Sequence, residues 1–435
     1  MNDLFETLPF RPADILLPKD CEYSKWSVVA CDQYTSQPEY WQRVEEYVGR
    51  APSTLRMILP ESCLEGPNVE TDIMEINNTM SRYLREGRFE EHPSTLFYVE
   101  RTLDSGKVRR GLIGMVDLEQ YNYEPHSAAP IRATEGTVLS RIPPRVAVRK
   151  NAPVELPHVM LLVDDPEKTV IEPLSAQTGS MEVLYDFDLM ERGGHIKGWE
   201  LTEDQQVQVA RALSALAGPA AFNARYGTRD EAVMLFAVGD GNHSLATAKE
   251  CYERQKRLVP PEQWPDLPAR YALVELDNLH DDSLEFEPIH RVVFGAKPEA
   301  LLDALNQYYP STLRGRQIAP EIRERALCFS YVSPDSEGEI ALLDSASQLA
   351  VGALQAFLDD YLARHPHVRI DYIHGADVVR KLAEQPNNIG FLLPAMGKEE
   401  LFPTVIHDGA LPRKTFSMGE AHDKRFYLEA RRIRD

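Results

Sequence analysis

The stretch AVGDGNHSLATAK, residues 237–249, is the point where an apolar run ends and a helix-forming run begins. The apolar run is short and ends at glycine, which predicts a buried strand, and the residues from Ser244 onward predict a helix. Gly239 and Gly241 let the backbone approach a ligand closely. A strand that turns directly into a helix directs backbone N–H groups and the positive end of the helix dipole to one point. Such a turn suits an anion, especially a phosphate.

The same turn carries side chains suited to phosphate chemistry. Asp240 can hold a metal ion or accept a proton, and His243 can donate to a phosphoryl oxygen or transfer a proton. The predicted phosphate-binding residues of the turn are Gly239, Gly241, Asn242 and Ser244. The alternative is ordinary turn chemistry, with Asp240 or Ser244 as a helix cap and His243 bonded to a local carbonyl. The spacing matches neither a Walker loop nor a dinucleotide fingerprint.

A proline-rich segment at 121–158 is the second candidate for function. It is hard to place as helix or strand, and long irregular segments in compact domains tend to be functional loops. Its charged and polar side chains are Arg132, Glu135, Arg141, Arg145, Arg149, Glu155 and His158. Several arginines near carboxylates can orient a phosphorylated or carboxylated ligand. They can equally form a salt-bridge network that braces the loop, and both interpretations stay open.

Two further groups of residues are candidates for a site. The C-terminal stretch from 412 places Arg413, Lys414, Lys424 and Arg425 in an otherwise acidic chain. Asp32 follows a short apolar run, a usual place for active-site carboxylates in α/β folds and also for ordinary turns. A Ser–His–Asp hydrolase is disfavoured because the sequence has no G-x-S-x-G elbow.

Composition limits the classes of partner. The 435 residues carry 68 acidic and 47 basic side chains, a formal charge of −21, which argues against nucleic acid or an anionic membrane as partner. The five cysteines are scattered, with no close pair to begin a zinc site, and the first residues lack the positive region of a signal peptide. We therefore expect a cytoplasmic protein with a small-molecule substrate. A homo-oligomer stays open.

Strand and helix patterns alternate along the chain, which predicts a mixed α/β fold. We expect a main lobe at 1–295 that contains the turn and the proline-rich segment. A small α/β lobe is predicted at 296–395. A basic C-terminal segment at 396–435 is expected to return to the site.

The order of several blocks resembles the family called domain of unknown function 1015. These blocks are FRP near the start, VGDGNHSLATA, PIHRVV, GFLLPAM and LPRKTF. Typical members carry A-D-G-H-H-R where this chain has residues 239–244, so Ser244 stands in place of an arginine. The missing charge is expected from Arg413 or from an arginine of the proline-rich segment, with the basic C-terminal segment as the first place to look.

The D-G-x-H turn is also similar to the phosphate-binding turn of the ParB and sulfiredoxin superfamily, whose relatives include kinases of free serine. This resemblance implies a ParB/sulfiredoxin-like phosphate-binding core and a phosphotransferase that converts L-serine to O-phosphoserine. The expected donor is ATP, ADP or pyrophosphate, with Mg²⁺ or another divalent cation. The alternatives are a phosphatase of small phosphoesters and a non-catalytic protein that responds to nucleotide or phosphate.

In the phosphotransferase hypothesis, the 239–244 turn holds the donor phosphates and His243 bonds the transferred group. Asp240 is the base or the metal ligand, and Glu135 is the alternative base. The residues expected to neutralise donor charge are Arg132, Arg141, Arg413 and Lys414.

Overall fold

The computed structural model of the chain describes residues 2–35, 37–64, 66–137, 139–229 and 232–434. The α-helices are α1 (Asn2–Phe5), α2 (Tyr23–Trp26), α3 (Pro38–Val48), α4 (Val69–Arg85), α5 (Ile142–Arg149), α6 (Glu203–Leu216), α7 (Pro219–Tyr226), α8 (Asn242–Lys256), α9 (Pro298–Tyr308), α10 (Pro320–Arg323), α11 (Ala350–Arg364), α12 (Ala376–Ala383) and α13 (Lys398–Asp408).

The strands are β1 (Phe10–Arg11), β2 (Ala13–Pro18), β3 (Phe89–Thr95), β4 (Phe97–Thr102), β5 (Val108–Asp117), β6 (Tyr121–Asn122), β7 (Ile131–Ala133), β8 (Val154–Glu155), β9 (Met160–Val163), β10 (Glu182–Asp188), β11 (His195–Glu200), β12 (Phe236–Asp240), β13 (Tyr271–Asn278), β14 (Phe286–Phe294), β15 (Thr312–Gly315), β16 (Leu327–Val332), β17 (Glu337–Leu342), β18 (Arg369–His374), β19 (Asn388–Leu392), β20 (Phe416–Met418) and β21 (Arg431–Arg432). The mixed α/β fold predicted from the sequence is confirmed.

The chain divides into two compact units. The first unit comprises Met1–Leu284 and Gly419–Asp435, and the second comprises Glu285–Met418. Residues 285–295 and 396–418 lie in the second unit, whereas the sequence placed them in the main lobe and in the C-terminal segment. The last residues of the chain therefore pack in the same unit as the 237–249 turn.

The first unit is built on a mixed sheet. Within the described residues its order is β10-β11-β4-β5-β13-β9-β12-β7-β6, and β1 pairs with β5. Strand β12 runs parallel to β7 and antiparallel to β9, and β13 runs parallel to β9. Strands β4 and β5 form an antiparallel hairpin around Asp104. Strand β12 is thus an interior strand, which explains its apolar sequence.

Both faces of this sheet are buried. Phe97 and Val99 of β4 join one apolar cluster, and Leu96 and Tyr98 join a cluster on the other side. This alternation follows from the two-residue period of a strand. The second cluster also contains Val238 of β12 and Leu245 of α8. Burial on both sides of the turn therefore fixes where β12 ends and α8 begins.

A group of charged side chains is buried on the first of these faces. Glu275 and Asp277 of β13 are almost fully buried, and Arg425 lies beside them with its Nε 3.7 Å from Glu275 Oε2. Arg425 also pairs with Glu429 at 2.6 Å. Burial and the neighbouring charge of Glu275 raise the pKa of Asp277 well above its usual range. The charged group ties the C-terminal segment to the sheet.

The second unit contains its own sheet. Among the described residues its order is β15-β17-β16-β19-β14-β18, and β20 pairs with β14. Helices α9, α11 and α12 follow the amphipathic patterns of the sequence, with buried Leu301, Phe357 and Val379 among their apolar residues. No helix in the described parts of the chain combines the length and apolar character that a membrane crossing requires.

Candidate functional site

The 237–249 turn is a direct strand-to-helix junction. Strand β12 ends at Asp240, Gly241 adopts a φ of +84°, and α8 begins at Asn242. A side chain at Gly241 would place its Cβ 3.1 Å from the Val159 backbone and side chain. Glycine is required here for both reasons, because other residues rarely adopt this φ and the space is already filled.

Replacing Gly241 by alanine is expected to destabilise the protein by about 2–3 kcal/mol, the sum of a left-handed backbone penalty and a clash with Val159. Gly227 also has a positive φ, +64°, but nothing lies within 4 Å of its Cβ position. The matched variant Gly227→Ala should therefore lose only about 1 kcal/mol. Calorimetric unfolding of both variants measures the difference, and equal losses would show that the Val159 contact costs nothing.

The Asn242 side chain joins the turn to strand β7. Its Oδ1 accepts the Thr134 N–H at 3.2 Å, and its Nδ2 donates to Thr134 Oγ1 at 3.2 Å. Thr134 Oγ1 donates in turn to the Val238 carbonyl at 2.6 Å. Glu135 follows Thr134 in the chain, so this predicted alternative base lies next to a residue that contacts the turn.

The first turn of α8 follows Gly241 directly. The first bond within the helix runs from the Leu245 N–H to the Gly241 carbonyl at 3.0 Å, so the amides before it have no acceptor in the helix. His243 occupies the second position of the helix and is half-buried. The predicted succession of strand, glycine turn and helix is present in the structure, and anion binding at this turn stays a prediction.

Lys424 from the C-terminal segment reaches the turn. Its Nζ lies 3.3 Å from Asp240 Oδ2, while Asp240 Oδ1 accepts the Gly241 N–H at 3.0 Å. The Lys424 side chain is 12% exposed and that of Asp240 is 24% exposed, so the pair is only partly screened by water. One positive charge of the basic C-terminal segment is therefore placed at the turn.

Two buried arginines hold the backbone around Lys424. Arg101 donates to the carbonyls of His422, Asp423 and Lys424, with the first of these bonds at 2.6 Å. Arg109 donates to the Asp423 carbonyl at 2.8 Å. Burial and the nearby charge of Arg109 lower the pKa of Arg101 to about 9. These hydrogen bonds from two buried arginines therefore fix the backbone position of Lys424.

Asp32 lies in the same neighbourhood. Its Oδ2 is 3.6 Å from His158 Nε2, and its Oδ1 accepts a bond from Gln33 Nε2 at 3.0 Å. Burial acts to raise the pKa of Asp32, but the charges of His158 and Lys424 and the bond from Gln33 lower it overall. Asp32 is therefore ionised at neutral pH. The negative charges of Asp32 and Asp240 therefore both attract the Lys424 ammonium.

A hydrogen-bonded chain of side chains starts at Ser244. Ser244 Oγ lies 2.8 Å from His158 Nε2, and His158 Nδ1 lies 2.9 Å from the Tyr427 hydroxyl. The Tyr427 hydroxyl donates to Cys31 Sγ at 3.2 Å. Ser244 and His158 also line a mostly apolar cavity of about 150 Å³, whose other walls include Met57, Leu59 and Met80.

Comparisons with known proteins settle the family. The profile of a family described as proteins of unknown function (DUF1015) matches residues 9–380. The chain belongs to the DUF1015 family. The resemblance drawn from the sequence blocks is confirmed. No curated protein matches this DUF1015 chain significantly.

Solved structures show only distant likeness to this DUF1015 protein. A variant of a free serine kinase in complex with AMP has 11% identity and a TM-score of 0.39, covering 74% of this chain and 92% of that one. The ADP complex has 12% identity and a TM-score of 0.38, with coverages of 74% and 92%. A conserved hypothetical protein from Pyrococcus furiosus has 9% identity and a TM-score of 0.36, with coverages of 74% and 94%.

The arginines of the proline-rich segment of this DUF1015 protein have structural partners. Arg145 pairs with Glu61, and Arg149 pairs with Glu155 at 2.5 Å. Arg132 is buried and donates to the carbonyls of Ala129 at 2.9 Å and Ala232 at 2.8 Å. Exposed Arg141 precedes α5. The segment is more regular than its sequence suggests, because it forms β7, α5 and β8.

The other predicted cations, Arg413 and Lys414, belong to the second unit. Arg413 pairs with Asp359 at 3.2 Å, and both side chains are more than half exposed. The backbone carbonyls of Arg413 and Lys414 accept bonds from buried Arg291 at 3.0 and 2.9 Å. Their predicted role in neutralising donor charge stays a prediction.

The sequence did not single out Tyr427 or Cys31, and it named His158 only as one polar residue of a loop. Their signal was weak, because Tyr427 lies far from the turn in sequence and no spacing links it to residue 158. Within the described residues no group of three or more His, Cys, Asp and Glu side chains could by itself hold a metal ion.

Proposed function

We propose that the protein is a small-molecule phosphotransferase that phosphorylates the hydroxyl of a free amino acid, with L-serine as the favoured acceptor and a nucleotide or pyrophosphate as donor. The observation that carries the proposal is the junction at Gly241. It brings the N-terminus of α8 directly after Asp240, which pairs with Lys424. Amide donors and an ammonium group together suit a phosphorylated ligand.

The donor phosphates are assigned to the 239–244 turn. The first amides of α8 lie at the positive end of the helix dipole, and Lys424 adds a positive charge beside them in an overall acidic protein. Phosphoryl transfer depends mainly on positioning and on neutralising charge. Lys424 therefore takes the role that the sequence assigned to an arginine absent at Ser244. Arg132 and Arg141 remain further proposed cations.

Asp240 is the proposed site for a divalent cation. Its two oxygens face the Gly241 N–H and Lys424, so it offers one carboxylate rather than a complete ligand set. This fits Mg²⁺, which binds proteins through one or two carboxylates and takes its remaining oxygen ligands from phosphates and water. When bound, Mg²⁺ supplies neutralisation of phosphate charge.

We place the acceptor hydroxyl next to the titratable side chains at the turn. Asp240, His243 and Glu135 remain the proposed acid–base residues, and ionised Asp32 is a third carboxylate in this neighbourhood. The choice of L-serine follows from the resemblance of the D-G-x-H turn to that of kinases acting on free serine. Binding donor and acceptor next to each other supplies the entropy advantage on which the transfer depends.

Incubation of the purified chain with L-serine, Mg²⁺ and ATP, ADP or pyrophosphate is expected to yield O-phosphoserine with one of these donors. Phosphorus NMR and mass spectrometry identify the product, and omission of serine is the control for donor hydrolysis. The reverse reaction, from phosphoserine with ADP, AMP or phosphate, is measured in parallel. Absence of product in both directions with every donor would reject the proposal.

The same assay separates the alternatives. A phosphatase would release phosphate from phosphoserine without any second substrate. A non-catalytic binding protein would show a thermal shift with nucleotide or phosphate but no turnover, since ligand binding alone stabilises the native state. Requirement for both donor and acceptor supports the phosphotransferase over either alternative.

A further inference from the structure

Ser244 and His158 form a hydrogen-bonded pair. The phosphate-binding role proposed for Ser244 does not explain why a histidine is bonded to it. Their atoms Oγ and Nε2 are 2.8 Å apart. His158 is buried, whereas Ser244 is half-buried and lines the cavity of about 150 Å³. A hydroxyl within hydrogen-bond reach of a base that is oriented by a third group is the arrangement that activates nucleophiles.

The proposal requires the imidazole proton of His158 on Nδ1. The Tyr427 hydroxyl can accept that proton, because it donates to Cys31 Sγ at 3.2 Å, accepts the Cys31 N–H at 3.2 Å and lies 2.9 Å from His158 Nδ1. Burial, followed by the charges of Cys31 and Asp32, raises the pKa of Tyr427 well above its usual range, so the phenol stays protonated. With the proton on Nδ1, the Nε2 lone pair faces the Ser244 hydroxyl.

The environment also favours the charges that an attack by Ser244 creates. Ser244 lies in the first turn of α8, where backbone amides and the helix dipole stabilise negative charge. Asp32 Oδ2 lies 3.6 Å from His158 Nε2, so it stabilises the positive imidazolium after proton transfer. The cavity beside the pair is lined mostly by apolar side chains.

We propose that Ser244 is a nucleophile that carries the phosphoryl group from donor to acceptor, with His158 as its base. Ser244 Oγ forms a bond to phosphorus, the bond from phosphorus to the donor's leaving oxygen breaks, and the hydroxyl proton moves to His158 Nε2. The proton is then lost to solvent past Asp32. In the second step the acceptor oxygen attacks phosphorus and its proton moves to His158 Nε2, the bond from phosphorus to Ser244 Oγ breaks, and His158 returns the proton to Oγ. The phosphoryl class rests on the proposed function, whereas the nucleophilicity of Ser244 does not.

Diisopropyl fluorophosphate tests the nucleophile directly, since a serine activated by histidine displaces its fluoride. We expect the full-length protein to gain one diisopropylphosphoryl group, located at Ser244 by peptide mass spectrometry. His158→Asn should slow this labelling by about 100-fold or more. Tyr427→Phe should slow it by about tenfold, because Nδ1 loses the acceptor that orients the ring. Labelling elsewhere, or no labelling of the unmodified protein, would overturn the proposal.

The matched control is Ser214→Ala. Ser214 Oγ donates to the Ala210 carbonyl at 2.8 Å within α6 and has no hydrogen bond to a histidine of the described ranges, so labelling should be unchanged. Ser244→Ala should abolish labelling while circular dichroism shows the native spectrum. If a variant fails to fold, the labelled position in the unmodified protein still decides the outcome.

A second experiment separates this inference from the proposed function. With radiolabelled ATP or pyrophosphate and no acceptor, acid-quenched protein should hold phosphate on Ser244, and added serine should discharge it. Phosphoserine formation that persists in Ser244→Ala would reject the covalent carrier and leave the proposed function intact. Labelling by the fluorophosphate without any phosphoserine product would reject the proposed function and support the nucleophile.

Discussion

Replacing Asp240 by asparagine is expected to lower the rate of phosphoserine formation by about a thousandfold. Asparagine keeps the size of the side chain and an oxygen that can accept the Gly241 N–H. In the unmodified protein this N–H donates to Asp240 Oδ1 at 3.0 Å. The substitution removes the negative charge that faces Lys424 at 3.3 Å and that would hold Mg²⁺ or accept a proton. Initial rates at saturating serine, donor and Mg²⁺ measure the loss.

The control for this substitution is Asp14→Asn. Asp14 also accepts a backbone amide, that of Ser94 at 2.8 Å, but it lies on β2 and takes no part in the proposed site. Both variants should unfold within a few degrees of the unmodified protein, because neither carboxylate is deeply buried. A rate for Asp240→Asn close to that of Asp14→Asn would remove Asp240 from the reaction.

Local physics made the turn predictable from the sequence. A short apolar run ended by glycine and followed by helix formers predicts its own geometry, and the structure places β12, Gly241 and α8 as expected. The β4–β5 hairpin and the elements of the second unit were predictable for the same reason. Each depends on spacings of a few residues, where the period of the pattern and the turn chemistry decide.

The partners of the turn were not predictable, because they come from distant parts of the chain. His158 and Tyr427 meet only after β9 and the C-terminal segment have packed on the sheet. In the sequence, Lys424 is one of several basic residues. In the structure it is distinguished by the hydrogen bond that buried Arg101 donates to its backbone carbonyl. The sequence allowed the arginines of the proline-rich segment to bind a ligand or to form a salt-bridge network. It could not identify a partner such as Glu61 for Arg145, because that residue lies far away in the chain.

Replacing Arg425 by methionine is expected to lower the free energy of unfolding by about 3–5 kcal/mol, the largest stability effect that we predict. Its guanidinium is 2% exposed and lies 2.6 Å from Glu429 Oε2 and 3.7 Å from Glu275 Oε2. Methionine fills similar space but leaves buried Glu429 without the charge of Arg425, and it leaves Glu275 with Arg109 at 3.8 Å as its neighbouring cation. Denaturant unfolding followed by tryptophan fluorescence measures the change.

A double variant tests whether stranded charge is the cause. Glu429→Gln removes the buried negative charge that Arg425 neutralises. It keeps an oxygen that can accept the Tyr185 hydroxyl, which donates to Glu429 Oε1 at 2.5 Å in the unmodified protein. Arg425→Met combined with Glu429→Gln should therefore be more stable than Arg425→Met alone. The exposed pair Arg364–Asp360 has the same spacing in sequence, and Arg364→Met should cost less than about 1 kcal/mol. If the double variant were less stable than Arg425→Met, lost packing rather than lost charge compensation would explain the effect, and the buried charges would not be what anchors the segment that carries Lys424.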